Sequence, residues 1–289
     1  MRIEKPIFIV GTGRSGSTTF LNMFVAHPDI AWLSVLCDKF PGRPSMNGFV
    51  MKAVDFPVIG RSLRKIFNPG ESWLFWEYHC KGFSTPCRDL LSEDVTIKVK
   101  KRIEDVMSQM LTDKRRRLVI KITGWPRIGF VKEIFSDAKF IHILRDGRAV
   151  VNSLINVDWW WGWRGPRNWR LDELTQSQNE EWERHGKSFI CLAAIEWKIL
   201  MDAMEMGRKL VHGDDFLEVK YEDLCAEPIE VFKKITGFCH LKWSREFEES
   251  VKKRPLRSTN YKWREDLTPH QQSVVEDVLH DYLKKYGYS

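Results

Sequence analysis

A chain of 289 residues with 43% hydrophobic and 29% charged residues can fold around one continuous core, which excludes a disordered or fibrous protein. Its 46 basic against 39 acidic residues give a formal charge of +7, which favours an anionic ligand without identifying one. Six cysteines with no C-x-x-C pair are too few for a disulfide scaffold, so separately buried thiols are expected, with a Cys80–Cys87 bridge as the minor alternative.

In chain order, the first residues enter a strand directly, without the long apolar run of a secretory signal or an N-terminal anchor, so a cytoplasmic location is the expectation. No stretch approaches the roughly 18 apolar residues of a membrane span. The apolar run Ile7-Phe8-Ile9-Val10 feeds Gly11-Thr12-Gly13 and then a helical segment from Ser17 to Ala26, which is how a strand-helix-strand unit opens. The stretch 32–94 is rich in Pro, Gly, Cys and aromatics and reads as an insertion with short helices over the ligand edge of the sheet. Val99, Ile103, Val106 and Met110 then share one helical face.

Leu118 to Ile122 and Lys139 to Leu144 are strands, each followed by a helix, and two such units in tandem imply a parallel sheet. A helix over Ser188–Met206, a strand over Phe216–Tyr221 and a helix over Pro228–Thr236 follow, and Thr268-Pro269 opens a last helix running to about Lys285. The basic runs at 98–102, 114–117 and 252–254 read most plainly as solvated faces. Without a zinc finger, homeodomain-like or RNA-module signature beside them, no nucleic-acid partner is expected.

Two segments carry chemistry. In Gly11-Thr12-Gly13-Arg14-Ser15-Gly16-Ser17-Thr18-Thr19 the glycines allow the backbone to turn N–H groups toward one anion, the following helix adds its unpaired N–H groups, and Arg14 adds a fork of donors. Ser17 stands where a triphosphate-binding loop has lysine, which argues against an ATPase or GTPase. The second segment, Arg145 to Ser153, begins at the C-terminal end of a strand, where open α/β sheets bind ligands.

Together these motifs resemble those of the sulfotransferases that use 3'-phosphoadenosine 5'-phosphosulfate, especially the bacterial and carbohydrate-type branch. Gly13 to Thr19 is similar to that family's 5'-phosphosulfate loop, and Arg145 with Ser153 eight positions later is similar to its 3'-phosphate motif. Lys220-Tyr221-Glu222-Asp223-Leu224 resembles a late strand motif of the same family. The resemblance implies a P-loop-type three-layer α/β sandwich with a central, mainly parallel sheet flanked by helices, formed by one domain over 1–289 with a lid at about 158–181. It also implies sulfuryl transfer by in-line displacement onto a hydroxyl of a small molecule or glycan, with adenosine 3',5'-bisphosphate as product and no metal required.

Carried onto this chain, the donor site takes Thr12, Gly13, Arg14, Ser15, Gly16, Ser17, Thr18, Thr19, Arg145 and Ser153, with Lys262 or Arg264 covering the 3'-phosphate and Trp125 near the adenine. Lys121 interrupts an apolar strand and matches the lysine that similar enzymes place at the bridging oxygen. Cytosolic members have a histidine two residues later, where this chain has Thr123, so a base must come from elsewhere. Among Asp38, Glu71, Glu77 and His79 the favoured candidate is Glu71, after Asn68-Pro69-Gly70, with Asp38 as its substitute. Trp73, Trp76, Trp159, Trp160, Trp161, Trp163 and Trp169 are candidates for an acceptor pocket, and His142 reads as a core histidine. An atypical P-loop kinase and a nucleotide-binding module without chemistry remain as alternatives, and the oligomeric state is left open.

Overall fold

The computed structural model describes residues 2–84, 88–166 and 173–288. Five strands, β1 (Ile7–Gly11), β2 (Ile30–Trp32), β3 (Arg117–Thr123), β4 (Lys139–Leu144) and β5 (Phe216–Lys220), form one sheet in the order β2-β3-β1-β4-β5. Every pairing is parallel, with Ile7 opposite both Val119 and Lys139. Every residue of β1 and β4 is buried, as a parallel sheet covered on both faces requires.

β2 is a correction to the sequence reading. Its three residues are too few to show a period, and they take Trp32 into the sheet, so the expected insertion begins after that residue. Four short helices, Val35–Lys39, Ser45–Ala53, Gly60–Ile66 and Trp73–His79, follow it.

The strand order fixes where the helices lie. The crossover from β1 to β2 runs one way along the sheet, whereas those from β3 to β4 and β4 to β5 run the other way. Right-handed connections therefore put helix Ser17–Phe24 on one face and helices Ile128–Ile134, Gly147–Ile155 and Phe189–Arg208 on the opposite one. Phe20 stacks on Phe232 at 5.2 Å and Phe24 packs tilted against it at 5.9 Å, bringing helix Pro228–Phe238 onto the first face. On the other, Val150, Leu154, Ile195, Leu200, Val275 and Leu279 share one buried cluster.

One basic run is not a solvated face. Arg115 is fully buried, donating to the Ile30 carbonyl at 2.5 Å and pairing with Asp55 at 2.8 Å, so it ties the start of β2 to the helical segment after that strand. Cys37, Cys80, Cys191, Cys225 and Cys239 are free thiols, and the Cys80–Cys87 pairing falls on Cys87, outside the described residues.

Gly16, at φ 90°, leads into helix Ser17–Phe24, and a Cβ added there would run into the Tyr221 ring. Gly16→Ala is expected to cost about 2 kcal/mol or more, since the left-handed strain alone is worth roughly 1–2. Gly13 does not have a positive φ, and its added Cβ would meet only Trp159 Cη2 at 3.7 Å. Gly13→Ala should therefore cost less than about 1 kcal/mol. Urea denaturation of the two variants checks the difference, and equal midpoints would contradict it.

Candidate functional site

The loop between β1 and helix Ser17–Phe24 is held in an unusual shape. Arg14 takes the left-handed conformation at φ 68° alongside Gly16, while Gly13 does not. A non-glycine residue there carries strain of about 1–2 kcal/mol that its surroundings must hold. Two hydrogen bonds do so: Arg145 Nη1 donates to the Arg14 carbonyl at 2.9 Å, and Arg14 Nε donates to Ser153 Oγ at 2.9 Å. Thr12, Gly13, Arg14, Ser17 and Thr18 line a cavity of about 490 Å³, while Ser15, Gly16 and Thr19 stay out of its wall. Ser15 Oγ is buried without a hydrogen-bond partner among the described residues.

Arg145 follows the last residue of β4 and is 8% exposed. Its Nε donates to Asn260 Oδ1 at 2.9 Å and its Nη2 to Thr259 Oγ1 at 3.0 Å, and the guanidinium lies 4.5 Å from the Tyr221 ring centroid. With the bond to Arg14, three of about five guanidinium donors are engaged and two remain. Burial draws its pKa below the usual arginine value. Arg14, Arg145, Ser153, Thr259 and Lys262 line a second cavity of about 630 Å³, so Arg14 borders both. Arg264 lies over Trp263 at 4.5 Å and does not line it.

The late motif supports this corner. Tyr221 packs between Gly16 and Arg145. Glu222 accepts from the Asp146 backbone N–H at 3.1 Å, from Tyr288 Oη at 2.9 Å and from Asn260 Nδ2.

At the C-terminal end of β3, Lys121 is 5% exposed, and its Nζ donates to Thr18 Oγ1 at 2.6 Å and pairs with Glu71 Oε1 at 2.9 Å. Thr123 Oγ1 donates to the same Glu71 oxygen at 2.8 Å. The structure thus brings together Lys121 and Glu71, with Thr123 orienting the carboxylate. The other candidate bases are engaged elsewhere. Asp38 Oδ1 accepts the Leu74 and Phe75 N–H groups at 2.9 and 3.1 Å, capping helix Trp73–His79, and it does not line the cavity. Glu77 accepts from Gly82 and Ser84, and His79 Nε2 contacts the Pro41 carbonyl at 2.8 Å.

Of the tryptophans expected in an acceptor pocket, Trp73 and Trp159 line the first cavity, as does Trp125. Trp76 is buried against Phe83, their rings stacked at 4.3 Å. Trp161 and Trp163 are exposed and outside the cavity wall. Trp169 lies outside the described residues.

Sequence reasoning missed part of this wall: Arg127, Glu196, Trp197, and the apolar Val150, Leu154 and Leu200. Arg127 is buried against Phe83 and Trp73, and desolvation lowers its pKa to about 10. Glu196 accepts from Trp160 Nε1 at 2.8 Å, and desolvation raises its pKa to about 7. A signal for it was present, because Glu196 is the one charge in the run Phe189 to Trp197. His142 is, as expected, a core histidine, 2% exposed and 3.1 Å from Glu218 Oε2.

Residues 6–245 match the profile of the Sulfotransferase family. Over 191 residues, 65% of this chain and 46% of theirs, the chain is 24% identical to the omega-hydroxy-beta-dihydromenaquinone-9 sulfotransferases Stf3 of Mycobacterium bovis and Mycobacterium tuberculosis. It therefore spans about half the length of these curated relatives. The crystal structure of sulfotransferase STF9 from Mycobacterium avium superposes with a TM-score of 0.62 at 16% identity, covering 100% of this chain and 78% of that one. A sulfotransferase domain from the curacin biosynthetic pathway gives 0.54 at 13% identity, covering 100% and 99%. These superpositions show the shared fold, and the profile match, which spans most of the chain without singling out a branch, shows that this protein belongs to the sulfotransferase family.

Proposed function

We propose that the chain moves a sulfuryl group from 3'-phosphoadenosine 5'-phosphosulfate to a hydroxyl acceptor by in-line displacement at the Lys121–Glu71 pair. The observation that carries this reading is that Lys121 Nζ, from β3, meets Glu71 Oε1 of the segment after β2 at 2.9 Å and Thr18 Oγ1, in the first turn of helix Ser17–Phe24, at 2.6 Å. The curated mycobacterial relatives are named for an alcohol on an isoprenoid quinone. The apolar wall of the first cavity suits an alcohol with an apolar body.

The residues fit a donor with phosphate at two places. The loop and the first turn of helix Ser17–Phe24 offer N–H groups without intrahelical partners at the wall of the first cavity. Arg145 lines the second cavity with Ser153 and Lys262, and two of its guanidinium donors have no hydrogen-bond partner among the described residues. The donor supplies a sulfuryl group joined to its 5'-phosphate through an activated anhydride oxygen.

Glu71 Oε1 is shared by Lys121 and Thr123, and Oε2 has no partner among the described residues. Oε2 is the atom that accepts the acceptor's hydroxyl proton as the new O–S bond forms. The charge left on the 5'-phosphate as the old S–O bond breaks is met by Arg14, Lys121 and the loop amides, already fixed in place, so little reorganisation is needed.

Two measurements test this. Arg14→Ala and Arg145→Ala are each expected to weaken binding of adenosine 3',5'-bisphosphate by about 10- to 100-fold, since a charge-assisted hydrogen bond is worth roughly 1.5–3 kcal/mol. Calorimetric titration checks this with circular dichroism as the control for folding, and parental affinity in both variants would exclude the assignment. Glu71→Gln is expected to lower kcat by about 10²- to 10⁴-fold with bisphosphate affinity nearly unchanged. Labelled-sulfate transfer into a mixed acceptor extract measures it, and a parental rate would remove Glu71 as the base. Transfer of phosphate from ATP with magnesium, in place of sulfate transfer, would instead support a kinase.

A further inference from the structure

Glu196 uses one carboxylate oxygen to accept the N–H of the buried Trp160 and has no protein partner for the other among the described residues. Helix Phe189–Arg208 is buried along most of its length, with Ile190 to Ile195 and Trp197 all excluded from solvent. The first two turns of this helix are apolar apart from Glu196, and a charge among such residues is accommodated only where something compensates it. Lys198, the nearest cation in the chain, is taken up by Glu181 at 2.7 Å and by the Val278 carbonyl at 3.3 Å. Trp160 Nε1 is the one protein donor to Glu196 among the described residues, and it reaches only Oε2.

The carboxyl group lines the first cavity beside Val150, Leu154, Trp197 and Leu200, on a different element from Lys121 and Glu71. Burial keeps the proton on it more readily than on an ordinary glutamate, and no charged group of the protein contributes to that shift. Glu196 is half-buried in this largely apolar wall, and its second oxygen is free to accept a hydrogen bond from a ligand that displaces water from the cavity.

We propose that Glu196 is a second recognition point for the acceptor, receiving a hydroxyl or ammonium group carried by an alcohol whose apolar body lies along Val150, Leu154 and Leu200. This rests on the reading of the first cavity as the acceptor site. It narrows the substrate class to apolar-bodied alcohols bearing a second donor group. A site built around such a polar group rejects analogues that lack its partner, because the carboxyl is then left unpaired in the complex.

The test needs no turnover. The protein saturated with adenosine 3',5'-bisphosphate is titrated by calorimetry with 1-hexanol, 1,6-hexanediol and 6-amino-1-hexanol, in the parent, Glu196→Gln and Glu196→Leu. The parent is expected to bind the diol and the amino alcohol at least about tenfold more tightly than hexanol, equivalent to about 1.4 kcal/mol. Glu196→Leu should erase both preferences and keep the affinity for hexanol. Glu196→Gln, which still accepts the Trp160 N–H, should lose the preference for the amine and keep that for the diol. Equal affinities for the three probes in the parent, or an undiminished preference in Glu196→Leu, overturn the proposal. Where the leucine variant does not fold, an undiminished preference for the amine in Glu196→Gln does so alone. Failure of the bisphosphate to bind would overturn the donor reading instead, and the same titrations without nucleotide still decide the role of Glu196.

Discussion

The guanidinium of Arg145 ties together two loops that the sheet sends in opposite directions. β1 and β4 are neighbours, yet the helix after β1 packs on one face and the helix after β4 on the other. Such divergence opens a crevice at the C-terminal edge of the sheet, where open α/β folds bind ligands. Arg145 spans it by donating to the Arg14 carbonyl, and Arg14 returns the contact through Ser153 on the helix after β4. The strained backbone at Arg14 and the exposure of its side chain to both cavities follow from this pair of bonds. Tyr221 and Glu222, the first residues of the helical turn after β5, press on the same corner, so a motif far along the chain sets the shape of the first loop.

A second constraint places the chemistry. Lys121 is nearly buried at the end of β3, and a cation there needs a counter-charge. Glu71 supplies it from the segment that follows β2, and Thr123 fixes which oxygen is used. The residue standing two positions after the lysine is therefore a positioning group for a carboxylate that arrives from elsewhere in the chain. Asp38, by contrast, is committed to the backbone of helix Trp73–His79, whose first turn needs an acceptor that its own N-terminal residue does not provide.

Much of this was legible in the residues. Continuous apolar runs marked β1, β3 and β4 because both faces are covered, and the glycine loop and Arg145 declared themselves by lying just past strand ends. β2 was hidden by its three-residue length, and Arg115 by a run of like charges that conceals one buried member. That Arg14 rather than Gly13 takes the left-handed turn depends on bonds from residues more than a hundred positions away, which no local pattern records. The tryptophans were the least legible. Trp73 and Trp76 are three residues apart, yet one lines the cavity and the other fills the core, a difference set by helix orientation rather than composition.

The central claim is that one ligand bridges the glycine loop and Arg145, and comparing two ligands against one substitution isolates it. Calorimetric affinities for adenosine 3',5'-bisphosphate and 5'-AMP, measured in the parent and in Arg145→Ala, give the coupling between that guanidinium and the 3'-phosphate. The account predicts that the parent prefers the bisphosphate by about tenfold or more and that the variant binds the two nucleotides alike. A variant that keeps the parent's full preference would contradict it.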